Sequence, residues 1–149
     1  MKPNPKNLVY IVDDDPDDRQ IILDAFLENN TQMDYVFIEN GDELMTTLGD
    51  CADTDFPSLI LLDLNMPGKN GYEVLKEIKQ SATLRKLPVV VFSTSDDPSA
   101  VAKTRNLGAS LYITKPPSFS KLKKTIQYLV SIDWNKFSPS EQQFIYRSN

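Results

Sequence analysis

The sequence predicts an α/β fold, a five-stranded parallel sheet covered by helices on both faces. Three observations carry that prediction. Short apolar, β-branched runs alternate five times with stretches whose apolar residues recur at helical spacing. The run Leu59-Ile60-Leu61-Leu62 is continuously apolar, as a strand buried on both faces must be, and Met66-Pro67-Gly68 closes it. The strand runs also stop abruptly at polar or charged residues, which puts chemistry at their carboxyl ends.

Residues 8–12, Leu-Val-Tyr-Ile-Val, read as the first strand. Asp15 can cap the following helix with Pro16 at its first position, while Asp17 and Asp18 suit the positive end of the helix dipole. Ile21, Ile22, Ala25 and Phe26 give that helix an apolar face through about Glu28. Residues 34–38 form a second, more polar strand, expected at an edge, and Asn40-Gly41 lead into a helix carrying Leu44, Met45 and Leu48. A polar loop over 49–57 precedes the third strand. A helix follows from about Gly71 to Gln80, with Tyr72, Val74, Leu75 and Ile78 apolar. Residues 87–92 make the fourth strand, and the next helix has Pro98 in its first turn and stops near Gly108. Leu111–Thr114 is the fifth strand, and Ser118 or Ser120 starts a last helix that buries Leu122, Ile126, Leu129 and Val130. Parallel strands joined through helices require right-handed crossovers, and the most apolar strands, the first, third and fourth, belong at the centre.

The chain has 149 residues, enough for one substantial core, with 40% hydrophobic and 25% charged residues. The N-terminal stretch has no apolar core of a signal peptide and no run approaches a membrane span, so the cytoplasm is the expected compartment. One cysteine, Cys51, rules out an internal disulfide, and the absence of histidine removes His-metal sites and Ser-His-Asp or Cys-His catalysis. A net charge of −5 argues against nonspecific nucleic-acid binding and points to protein or small-ligand partners.

In an open parallel sheet, ligands bind outside the carboxyl ends of the strands. Here Asp13 and Asp14 end the first strand, Asp63 the third, Ser93 the fourth and Lys115 the fifth, all on one edge. Each has an ordinary reading: acidic loop, capping Asp, capping Ser, solvated Lys. Their agreement at four strand ends favours a site. Three carboxylates together need a cation, and oxygen donors suit Mg²⁺ or Mn²⁺. A carboxylate beside such a metal can form an acyl phosphate, with a Lys ammonium neutralising the transferring oxygens and a Ser hydroxyl donating to one of them.

The motifs Val12-Asp13-Asp14, Leu62-Asp63-Leu64-Asn65-Met66-Pro67 with Gly71, Val91-Phe92-Ser93-Thr94, Leu107-Gly108-Ala109 and Tyr112-Ile113-Thr114-Lys115-Pro116 resemble the receiver domain of two-component response regulators, in its stand-alone form. The resemblance covers about residues 7–131. It implies a flavodoxin-like, doubly wound sheet of order 2-1-3-4-5. It implies Asp63 as phosphoacceptor, with Asp13, Asp14, Asp63 and the Asn65 backbone carbonyl holding Mg²⁺ (or Mn²⁺). Lys115 would contact the phosphoryl group, across a cis Lys115–Pro116 bond, with Ser93 as the switch hydroxyl and Tyr112 as a switch aromatic that packs inward on phosphorylation. The chain departs from the family at Lys69 and Asn70, in place of apolar and acidic residues, and at Pro117. Thr94 and Ser95 flank access to Asp63.

The expected organisation is a receiver over residues 1–131 and a tail over 132–149 with no output domain. In that tail, Ser138-Pro139-Ser140-Glu141 has a capping pattern from which Phe144 and Ile145 continue as a short helix. Trp134, Phe137, Phe144 and Tyr146 either pack back on the domain, the favoured reading, or form a partner surface. The implied partners are a histidine kinase or hybrid kinase, then a downstream protein target or histidine phosphotransfer protein, without nucleic acid or membrane. The homodimer surface known in the family is the fourth helix, fifth strand and fifth helix. The expected role is a signalling domain rather than an enzyme. A haloacid-dehalogenase hydrolase would need an acid where Asn65 stands, and a flavin-binding loop would not carry Asp13-Asp14-Asp15. The remaining alternative is a pseudo-receiver, a binding module independent of phosphorylation.

Overall fold

The computed structural model describes residues 8–29, 33–134, 137 and 144–146. Strands β1 (Leu8–Val12), β2 (Asp34–Ile38), β3 (Leu59–Leu62), β4 (Val89–Ser93) and β5 (Leu111–Thr114) alternate with helices α1 (Pro16–Glu28), α2 (Gly41–Gly49), α3 (Gly71–Gln80), α4 (Pro98–Asn106) and α5 (Phe119–Ser131). A sixth strand, β6 (Ile145–Tyr146), follows. The sheet is parallel in the order β2-β1-β3-β4-β5-β6, so β2 is an edge strand and β1, β3 and β4 are interior.

Local chemistry explains the boundaries. Asp15 caps α1 by accepting from the Asp17 amide at 2.9 Å, with Pro16 at the first helical position. Asn70, one of the departures, earns its place as a reciprocal cap: its side chain accepts from the Glu73 amide while the Glu73 carboxylate accepts from its own. Lys69 donates to Glu77 at 2.6 Å and lies 4.0 Å from Asp42, tying α3 to α2. Ser118, not Ser120, caps α5. Leu87 and Pro88 fall outside β4, because Leu87 closes a turn onto the Leu84 carbonyl.

Strand alternation divides the core. Val9, Ile11, Leu59, Leu61, Val90 and Phe92 face α1 and α5, meeting Phe26, Ile126 and Leu129. Tyr10, Val12, Ile60, Leu62 and Val89 face the other way onto Leu44, Leu48, Val74, Leu75 and Ile78 of α2 and α3. Ile21, expected on the buried face of α1, is 46% exposed; the helix turns Ile22, Ala25 and Phe26 inward instead.

The tail packs on the domain. Phe144 is 3% exposed and sits against Leu64, Val91 and Tyr112. Trp134 meets Phe137 edge-on at 4.9 Å, and Tyr146 stacks on Tyr128 at 4.3 Å. Trp134 also closes a cavity of about 40 Å³ with Val9, Met33 and Leu59, at the end of the sheet where β1 and β3 begin. The expected short helix is corrected in part: Ile145 and Tyr146 form β6, pairing with Tyr112 and Ile113. Aromatic and β-branched residues suit a strand, and the open edge of β5 supplies a ladder. The proposed capping residues 138–141 lie outside the described residues.

Phe144→Ala tests what holds β6. Truncating a buried Phe costs about 3–5 kcal/mol, more than so short a pairing can sustain. The Tyr112 amide, which donates to the Phe144 carbonyl at 2.8 Å, is expected to exchange roughly 100-fold faster while interior strands keep their protection. Hydrogen-exchange NMR reads this directly; unchanged exchange at Tyr112 would mean that another contact anchors the strand.

Candidate functional site

The sheet's hydrogen bonding runs one residue beyond the strands and so sets the site. The Asp13 amide donates to the Ile38 carbonyl (3.0 Å), the Asp63 amide to the Val12 carbonyl (3.0 Å), and the Lys115 amide to the Ser93 carbonyl (2.7 Å). Asp13 and Asp63 thereby leave the sheet side by side, and Lys115 leaves it two residues further along the register, so its long side chain reaches back to them.

Asp13 and Asp63 are 2% and 6% exposed, and Asp14 stands open to solvent. One carboxylate oxygen from each of the three lies within 4.8 Å of the others. Asp13 accepts from the Asp15 amide at 2.9 Å, and its own carbonyl is held by Arg19 at 2.8 Å. Asp63 accepts from the Asn65 amide at 3.2 Å; Asn65 is exposed on the rim. Beyond it, Met66 is buried in the α2–α3 core, and Gly68 takes φ +74°, a conformation that favours glycine.

Lys115 enters from β5 with its Nζ 2.8 Å from Asp18, 3.0 Å from Asp13 and 3.8 Å from Asp63. No cis peptide occurs among the described residues, so the expected cis Lys115–Pro116 bond is corrected to trans. Trans is the favoured isomer even before proline, and Lys115 reaches the carboxylates from it.

The electrostatics follow from crowding under cover. Burial pushes the Asp63 carboxyl from 3.8 up to about 6; Lys115 pulls it down, and Asp13 and Asp14 push it further up. Burial likewise raises Asp13, against its bonds to Asp15 and Lys115. Burial disfavours the Lys115 ammonium, yet hydrogen bonds to Asp18 and Asp13 and the charge of Asp63 hold its pKa above the usual lysine value. Such a cluster, all oxygen and short of positive charge, matches the donor preference of a hard divalent cation.

Ser93 is fully buried at the end of β4, its Oγ accepting from the Ser95 amide at 3.2 Å. Tyr112 is also fully buried, and its hydroxyl donates to the Ser95 carbonyl at 2.5 Å. Tyr112 is packed inward, with Phe144 against it.

Of the sequence-predicted residues, Asp13, Asp14, Asp63 and Lys115 come together, with Asn65 bonded to Asp63, while Ser93 and Tyr112 converge on Ser95 behind them. Asp18 and Arg19 were not among the predicted site residues. Their signal was position: α1 starts at the end of β1, so its first turn overlooks the strand ends.

Comparison with known proteins agrees with this geometry. The response regulator receiver domain family matches residues 9–127. Response regulator Rcp1 of Synechocystis sp. is 33% identical over 131 residues, covering 86% of this chain and 89% of Rcp1. The Mn²⁺-bound form of Rcp1 superposes with a TM-score of 0.76 at 30% identity, over 90% of this chain and 99% of that one. The phosphorylated cyanobacterial phytochrome response regulator RcpA does so at 0.78 and 32%, over 90% and 97%. Receiver domains are signalling domains, and no described helix here is long and apolar enough to cross a membrane. With its doubly wound sheet, its acidic cluster and its lysine, the chain belongs to the response regulator receiver domain family.

Proposed function

We propose that Asp63 accepts a phosphoryl group from a phosphohistidine on a histidine kinase, hybrid kinase or phosphotransfer protein, and that the protein signals by protein contact or passes the group on. The observation that carries this reading is the buried Asp63 carboxylate, with Lys115 Nζ 3.8 Å away and oxygens of Asp13 and Asp14 within 4.8 Å. A receiver over residues 1–131 with 132–149 as an accessory tail is part of the same proposal.

An Asp63 oxygen attacks phosphorus, the P–O bond forms, and the P–N bond to the imidazole breaks, leaving the electron pair on nitrogen. The nucleophile must be ionised, and a pKa near 6 leaves most of Asp63 ready at neutral pH. Asp13, Asp14, Asp63 and the Asn65 carbonyl would hold Mg²⁺ or Mn²⁺, which supplies charge neutralisation for the transferring oxygens. Lys115 contributes a second positive charge. Ser93 turns its hydroxyl towards the new phosphoryl group, and the loop through Ser95, which also receives Tyr112, follows. The α4–β5–α5 face, on which β6 covers the edge of β5, is then the output surface and a candidate homodimer face.

The test is intact mass after incubation with a small-molecule phosphodonor, with and without Mg²⁺. One added phosphoryl group that requires Mg²⁺ is the expected result. No adduct from that donor or from a purified kinase would favour the pseudo-receiver reading, a phosphorylation-independent binding module.

A further inference from the structure

Asp18 is the shortest ion-pair partner of Lys115, at 2.8 Å against 3.0 Å for Asp13 and 3.8 Å for Asp63. It is the only one of these three that is not in the group able to hold a metal ion. We propose that Asp18 is a positioning residue for Lys115: it takes the ammonium when a divalent cation claims Asp13, and so lets metal and lysine occupy one small site. The proposal deepens the phosphoacceptor reading and rests on its metal-dependent part.

Competition between two cations is built into the geometry. Asp13 bonds Lys115 with one carboxylate oxygen and offers a ligand atom to the metal group. A metal at Asp13 weakens that bond, and the Lys115 side chain, 14% exposed, has little water to turn to. Asp18, 35% exposed on the rim, offers a carboxylate without sharing it with the metal group.

Its placement is rigid. Asp18 lies in the first turn of α1, just after the Asp15 cap and Pro16, and Arg19 pins that turn to the Asp13 carbonyl at 2.8 Å. Phe92, whose ring centroid is 6.0 Å from the ammonium, lies on an apolar wall that gives Lys115 no substitute acceptor. Removing the Asp18 charge therefore leaves Lys115 to Asp13 and Asp63, where it opposes the metal.

A double-mutant cycle on Mn²⁺ affinity, measured by calorimetry, tests this. Asp18→Asn is expected to weaken Mn²⁺ binding about 5- to 10-fold, the size of coupling seen between groups in one ion-pair network. In a Lys115→Met background, where no ammonium needs a second partner, the same change is expected to shift affinity less than about 2-fold. Circular dichroism checks folding, and Lys115→Gln replaces the Met variant should that one not fold. Equal losses in both backgrounds would mean that Asp18 acts only as a nearby charge, and would overturn the proposal, as would no loss in the single variant. A wild type that binds no Mn²⁺ would overturn both this proposal and the metal-dependent reading on which it rests.

Discussion

Asp63→Asn is expected to take up no phosphoryl group and, in the absence of metal, to be more stable than the wild type at neutral pH. The two results have one cause. The native Asp63 carboxyl, only 8% exposed at its side chain, titrates near 6 rather than at 3.8. Below about pH 3 it is protonated in folded and unfolded chains alike, and burial carries no charge penalty. As pH rises from about 3 to 6 the unfolded chain releases its proton first, so stability falls with rising pH. Above 6 the whole difference applies, about 3 kcal/mol. Asparagine keeps the shape without the charge, so it should recover about 2–3 kcal/mol at pH 7 and almost nothing at about pH 3. Urea unfolding with a chelator present, at both pH values, reads this out. An Asn variant less stable than wild type at pH 7 would mean that Lys115 more than compensates the buried charge.

Gly71→Ala is expected to damage fold and site together. A Cβ there would lie 2.7 Å from the Asp63 carbonyl oxygen and 2.7 Å from the Leu64 Cα, both backbone atoms with nowhere to retreat. Gly71 also donates its amide to the Leu64 carbonyl at 3.1 Å, so α3 is fastened against the segment that carries Asp63. Overpacking of this kind costs about 2–3 kcal/mol, and the strain is relieved by moving the loop after β3. A nucleophile displaced by about 1 Å can lose on the order of 100-fold in rate. Phosphorylation by a small donor should therefore slow by that order in the fraction that remains folded. Gly49, with nothing within 4 Å of its added Cβ, is the control; Gly49→Ala should leave both stability and phosphorylation near wild type. If Gly71→Ala behaves like Gly49→Ala, the close approach of α3 to the Asp63 backbone is not what places the carboxylate.

Much of this architecture is legible in short stretches of chain because the physics there is local. Asp15-Pro16 marks the start of α1 by its carboxylate cap and fixed φ, and the bounds of β1, β2, α3 and β5 follow from residues within a few positions. The convergence of Asp13, Asp14, Asp63 and Lys115 was legible for a topological reason, since parallel strands must present their carboxyl ends on one edge. What was not legible depends on distant partners. The strand at Ile145–Tyr146 exists because β5 has an edge to offer, a fact absent from residues 144–146 themselves. The outward turn of Ile21 depends on how α1 rolls against α5, where helical spacing alone allows either side. Asp18 looked like a first-turn acid serving the helix dipole; its bond to Lys115, 97 residues away, needs the assembled sheet.

The position of Trp134 has a spectroscopic consequence. It is the chain's only tryptophan, and it sits with Val9 where β1 begins, whereas the acidic cluster lies where β1 ends, roughly 13 Å along the strand. Intrinsic emission should therefore be silent to Mg²⁺ at the carboxylates and sensitive to the aromatic packing of Trp134 against Phe137. A change in that emission on adding phosphodonor would be a signal that has crossed the length of the sheet, visible without any label.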